Sequence, residues 1–294
     1  MVVVAASVVV VRHYHLLQRG RTTALSVDDV RRRYEQLATT APSNVTGPST
    51  VTGRSMATSS SAATSTTEVA VSTTDVARTS TTAASSVLAG PPIHALLPRP
   101  GVYVYATTGG DRVDALGGDH HNYPATTTLT VMASDCGVQE RWDVARQRWE
   151  EWHRCVDGDA VRTTALTTYD EFFGQGQTDA YACTGDARPL SAQAGATWTV
   201  NCVEGIATDV HHGVVLGNEP MLVGSVIVST EHVQITIENG QRTDSQVTDS
   251  WFLVGTDFLV AQKGTNRTTN PSPVGAVTYH EDYELHLTAL EPLT

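Results

Sequence analysis

Four cysteines, Cys136, Cys155, Cys183 and Cys202, are the residues whose type and spacing speak most directly of chemistry. Cys136 to Cys155 and Cys183 to Cys202 span the same number of residues, and each pair brackets one candidate hairpin, so two local disulfides are expected. Four cysteines permit three connectivities, and sequence does not select among them. A structural zinc site would call for close Cys-X-X-Cys pairs, which the chain lacks. Cysteines held in disulfides are also not thiolate nucleophiles.

Other polar groupings read as ordinary surface. Asp119, His120 and His121 fall in Gly117-Gly118-Asp119-His120-His121-Asn122-Tyr123-Pro124, whose turn-forming residues imply a turn with solvent-exposed histidines. His280, Asp282, Glu284 and His286 alternate with Tyr279, Glu281, Tyr283, Leu285 and Leu287, which on a strand puts the first set in one solvated row. His211 and His212 would point to opposite faces, as would Glu150 and Glu151, so neither pair can form a two-residue site. No Gly-X-Ser-X-Gly elbow or Ser-X-X-Lys motif is present. The glycines of Phe173-Gly174-Gln175-Gly176-Gln177 lack the lysine of a phosphate loop. No catalytic residue, metal ligand or cofactor site is therefore assigned. An apolar ligand face is expected instead, made by Trp142, Trp149, Trp251 and Phe252.

The elements that must position these residues are strands. Alternating runs at Val102–Thr107, Thr126–Ala133, Gly137–Val144, Arg148–Cys155 and Val161–Tyr169 are followed by Asp179–Thr184, Thr197–Val203, Ile206–Leu216, Gly224–Ile237, Val247–Val254, Asp257–Lys263 and Val274–Leu287. Short strands at this spacing, with no helical period, predict an all-β fold: an antiparallel curved sheet, half-barrel, barrel or sandwich. If Cys136 faces Cys155, the register sets Trp142 opposite Trp149 and Asp143 opposite Arg148 around a loop from Val144 to Gln147, with cystine and tryptophans on one face. The same register opposes Glu140 and Glu151, which is unfavourable.

Composition divides the chain. Residues 1–90 carry eight basic and five acidic residues, and residues 91–294 eleven basic and twenty-six acidic, a net −15. That charge excludes nucleic acid as a partner, because such binding depends on Lys and Arg neutralising phosphates. Val2 to Val11 are almost purely apolar, and Arg12, Arg19 and Arg21 follow; residues 1–25 read as a transmembrane signal-anchor lacking its beginning, a buried strand being the alternative. Residues 26–38 predict a short juxtamembrane helix opened by Ser26 and Asp29. Residues 39–97 predict a disordered Ser/Thr-rich linker, either glycosylated as a stalk or unmodified. Residues 98–294 form the β-rich domain, outside the cytoplasm.

Gly101-Val102-Tyr103-Val104-Tyr105, Tyr123-Pro124-Ala125-Thr126-Thr127-Thr128, Trp251-Phe252-Leu253 and Tyr279 to Leu287 resemble uncharacterised actinobacterial membrane-anchored envelope proteins. The single lysine, Lys263, against eighteen arginines agrees with a GC-rich genome. The strand order is more remotely similar to half-barrels of the lipoprotein-carrier type, which hold acyl chains in a concave face. The resemblance implies a location and a fold class but no activity. The expected function is a non-enzymatic envelope binding or interaction module, with an unidentified envelope component or apolar ligand as partner and the membrane reached through the N-terminal anchor. An extracytoplasmic hydrolase is the alternative.

Overall fold

The computed structural model describes residues 22–40, 96–239, 243–272 and 275–294. The expected anchor and almost all of the Ser/Thr-rich linker lie outside the described residues. Among the described residues no helix is long and apolar enough to cross a membrane.

The strands form one antiparallel sheet that closes on itself. They are β1 (Gly101–Val113), β2 (Asp119–Asn122), β3 (Thr126–Ala133), β4 (Gly137–Ala145), β5 (Arg148–Asp157), β6 (Ala160–Phe172), β7 (Gln175–Gly185), β8 (Arg188–Pro189), β9 (Thr197–Glu204), β10 (Ala207–Val223), β11 (Val226–Asn239), β12 (Thr243–Leu253), β13 (Leu259–Ser272) and β14 (Gly275–Leu287). Neighbours in sequence are neighbours in the sheet, and β14 returns to β1 through Tyr105↔Leu287 to Val113↔Tyr279. The result is a closed up-and-down barrel of twelve strands. Short β2 continues the β3 edge along the upper half of β1, and β8 pairs with the lower half of β6. Of the architectures the alternation allowed, closure selects the barrel: every edge but the short ones is paired, which a half-barrel would leave open.

Twelve strands make too wide a ring for their own side chains to fill, since eight already enclose a space that side chains just occupy. One end is therefore packed by additional segments. The β10–β11 hairpin breaks register between Val215 and Gly217, and its tip folds under the barrel so that Val223, Met221 and Val228 join Tyr103, Tyr105, Leu129, Trp142, Phe258 and Leu287 in one core. The 186–196 connection adds Leu190 and Arg188, both buried. At the opposite end, short turns join β4 to β5, β6 to β7 and β9 to β10, and β7 records the difference along one row: Gln175 and Gln177 are exposed, Asp179 half-buried, Tyr181 and Cys183 buried.

Both disulfides are made, Cys136–Cys155 and Cys183–Cys202. Cys183 and Cys202 are direct partners across β7 and β9. The first hairpin has a different register from the expected one. Gly137 pairs with Cys155, so Trp142 faces Glu150, Asp143 faces Trp149, and a bulge at Val144 brings Ala145 opposite Arg148 across a two-residue turn. Cys136 reaches Cys155 from just beyond the ladder. The slip by one residue removes the Glu140–Glu151 opposition and turns Trp142 and Trp149 to opposite faces, because the strand period is two.

Helix α1 (Val27–Thr40) begins as its capping pattern implies: the Asp29 N–H donates to Ser26 Oγ at 3.1 Å, and the Ser26 hydroxyl donates to Asp29 Oδ2 at 2.7 Å. It is docked on the barrel. The helix packs on β1 and β3, Val30 is 1% exposed, and Arg33 pairs with the fully buried Asp143 on β4. A helix this short gains its stability from such tertiary packing.

Candidate functional site

The barrel encloses a cavity of about 480 Å³. Strand alternation decides which residues reach it: from β5 come Arg148, Glu150, Trp152 and Arg154, while Trp149, Glu151 and His153 point outward. Glycines shape its wall. A Cβ at Gly213 would lie 2.1 Å from the ring of Trp198, its cross-strand partner, and a Cβ at Gly264 would lie 2.3 Å from Tyr283, again its partner. Each aromatic ring thus lies over a bare stretch of backbone, which lets it line the lumen without crossing it.

The lining falls into three levels. A middle belt is aromatic and aliphatic: Trp152, Leu166, Tyr181, Trp198, Ile235 and Phe252. Above it Arg148 reaches across the lumen. Its Nε and Nη2 donate to Glu281 Oε1 on β14 at 3.4 and 3.3 Å, Nη2 also donates to Glu150, and Nε lies 3.2 Å from Asp170 Oδ1 on β6. One guanidinium thus serves three carboxylates. Tyr123 donates its hydroxyl to Glu281 and, at 3.4 Å, to Asp111 Oδ2. His121 Nδ1 hydrogen-bonds Asp111 Oδ1 at 2.7 Å, with Phe172 against the imidazole.

Below the belt, two arginines share three carboxylates. Arg188 donates to Glu231 Oε2 at 3.0 Å, to the Thr256 carbonyl at 3.2 Å and to Asp257, with its guanidinium 4.0 Å from the Phe252 ring. Arg154 donates to Glu140 Oε2 at 3.3 Å and lies 3.6 Å from Asp257 Oδ2. Glu231 also accepts the Ala192 N–H at 2.9 Å, and the Asp257 N–H donates to the Leu96 carbonyl at 2.7 Å. These bonds tie the 186–196 and 253–258 connections to the barrel floor.

Burial raises the proton affinity of the carboxyls on these walls, because a charged form loses hydration there. Desolvation lifts Glu281 to about 7 and Asp170 to about 6 against the pull of Arg148, and lifts Glu140 to about 7 against the pull of Arg154. For His121 burial works against the imidazolium, but the Asp111 hydrogen bond and charge outweigh it and its pKa is raised. His211, on the lumen wall, is lowered by desolvation.

The expected ligand face is not brought together. Trp142 is 2% exposed in the packed core, donating its indole N–H to Thr127 Oγ1 at 3.0 Å with Tyr123 and Tyr283 against its ring. Trp149 lies on the outer wall between Tyr169 and the Arg141 guanidinium, and Trp251 lies outside against His232. Of the four, Phe252 alone lines the cavity. The histidine turn is also corrected: Asp119 and His121 are buried on β2, and His120 alone is exposed. Of the row His280, Asp282, Glu284 and His286, the last three are exposed as expected and His280 is half-buried. Glu150 and Glu151 diverge as expected; the carboxyls that join Glu150 come from β6 and β14 instead. Among the described residues, the grouping with metal-donor spacing is Cys136, His153 and Cys155, whose sulfurs are in a disulfide.

Arg148, Asp170, Arg188 and Glu281 went unread in the sequence. For Arg148 and Glu281 a signal was present, as charged residues at inward positions: Arg148-X-Glu150-X-Trp152-X-Arg154 and Tyr279-X-Glu281-X-Tyr283-X-Leu285. Comparison with protein-family models, with curated proteins and with solved structures finds no match for this chain.

Proposed function

We propose that this protein is a non-enzymatic binding protein that holds a small molecule in the barrel lumen and works outside the cytoplasm. The observation that carries this reading is the cavity itself. Its volume, about 480 Å³, falls within the roughly 300–1,000 Å³ of small-molecule sites, and its apolar belt is flanked by a few convergent polar groups. Two disulfides support an oxidising compartment. The resemblance of the 101–105, 123–128, 251–253 and 279–287 stretches supports an envelope setting reached through an N-terminal anchor. The test is native mass spectrometry of the protein before and after exposure to an envelope extract, with Gly213→Val beside the wild type. A retained small molecule that Gly213→Val loses, by displacing Trp198 into the lumen, is the expected result. Equal spectra for both proteins, with no added mass, would refute it.

A hydrolase remains the second reading because Glu281, lifted to about 7, and Asp170, lifted to about 6, lie on either side of Arg148, the first placed to give a proton near neutrality and the second to take one. Conversion of the retained compound during incubation, abolished in Glu281→Gln, would favour it over binding.

A further inference from the structure

The charges on the lumen wall are unequal, and their inequality bears on what the lumen takes. Three arginines, Arg148, Arg154 and Arg188, meet six carboxylates, Glu150, Asp170, Glu281, Glu140, Asp257 and Glu231. Every guanidinium is engaged by at least two carboxylates; Arg188 Nε, at the floor, has no acceptor among the described residues. Asp179 and Asp209 add further acid to the lining. Low-dielectric walls concentrate such a field on whatever enters.

Two carboxylate oxygens on the lumen wall, one at each charged level, lack a hydrogen-bond donor among the described residues. Glu140 is 5% exposed and lines the cavity, and its Oε1 has no hydrogen-bond donor among the described residues. Asp170 Oδ1, also on the lining, has no geometrically sound hydrogen bond and relies on the 3.2 Å approach of Arg148 alone. At the upper level Phe172 on β6 and Tyr279 on β14 bring their rings to 6.0 Å, edge to face. Aromatic faces beside carboxylates attract organic ammonium groups through the ring quadrupole and charge together. A bare metal ion would use the carboxylates but leave the Trp152, Trp198 and Phe252 belt without a partner.

We propose that the lumen is selective for a small organic cation, its ammonium group beside Asp170, Glu150 and Glu281 and its apolar part against the aromatic belt. This rests on the luminal-binding reading and names its ligand class. Seating an ammonium there favours the ionised forms of Asp170 and Glu281, whose proton affinity burial raises.

The test is calorimetric titration with three probes of one chain length: decyltrimethylammonium, decanol and decanoate, all below micelle formation. Tryptophan fluorescence from Trp152 and Trp198 provides a second readout. Expected is an affinity order of cation over alcohol over anion, with the cation at least tenfold tighter than the alcohol at low salt. In Asp170→Asn, and separately in Glu281→Gln, the ratio of cation to alcohol affinity falls at least tenfold, with circular dichroism verifying the fold of each variant. Equal or tighter binding of decanol or decanoate would overturn the cation proposal and leave luminal binding standing. Cation binding that both folded variants retain at full strength would place the ammonium elsewhere and also overturn it. Failure of all three probes to bind would overturn the luminal reading as well.

Discussion

The two charged levels of this barrel are built from the same residue types and do different work. In the lower level two arginines meet three carboxylates, and Glu231 and Asp257 are further tied to the Ala192 and Leu96 backbone. These groups fix loops, so their geometry is spent on holding the floor closed. In the upper level one arginine is divided among three carboxylates on β5, β6 and β14 that border a cavity. A buried ion network that is nearly balanced and tied to backbone holds structure, whereas one with a single cation among three carboxylates keeps capacity for a further charge.

That contrast can be broken most forcefully at Arg188. Arg188→Met leaves Glu231 buried without its cation and Asp257 with Arg154 alone, at 3.6 Å, and should cost about 3–5 kcal/mol in urea unfolding. A loss under 1 kcal/mol would deny the lower level its latching role. The cystine Cys183–Cys202, in the wall that both levels share, closes a span of 19 residues. The double variant Cys183→Ala/Cys202→Ala should lose about 3 kcal/mol, and non-reducing peptide mapping of the wild type should recover this link together with Cys136–Cys155.

The proton equilibria give a smaller effect of fixed sign. Glu281, Glu140 and Asp170 bind protons more tightly in the folded barrel than in the unfolded chain, with folded values of about 7, 7 and 6. Between their ordinary carboxyl range and pH 7 the folded state therefore holds more protons than the unfolded state, and stability falls as pH rises through that window. The contribution is fully present below about pH 4 and lost above pH 7, and thermal melts should show a decline of about 1–3 kcal/mol from pH 5 to pH 8. A rise over the same interval would mean that the carboxylates are stabilised as anions. Asp170→Asn should have the smallest effect, within about 1 kcal/mol of wild type at pH 8, because it removes surplus charge while Arg148 keeps Glu150 and Glu281. A loss comparable to that of Arg188→Met would erase the distinction between the two levels.

The sequence by itself determined the fold class and much of its detail. Alternation marked each of the twelve barrel strands, the matched cysteine spacing indicated both disulfides, Ser26 and Asp29 announced the start of α1, and the Asp282, Glu284 and His286 row was legible as a solvated face. These are local properties: a period of two, a loop length, a capping pattern. Tertiary structure alone decided the site. Whether the sheet closes depends on the β1–β14 ladder between chain segments some 180 residues apart, and closure defines an inside. A single bulge at Val144 and a one-residue change of register turned Trp149 outward and Arg148 inward, which no window of sequence records. Glu281 then meets Arg148 across 133 residues of chain because the two strands face each other over the lumen, and burial raises the carboxyl's proton affinity. Strand pattern is written residue by residue, but a lumen comes into being only when the ring closes, and with it the charge that this one contains.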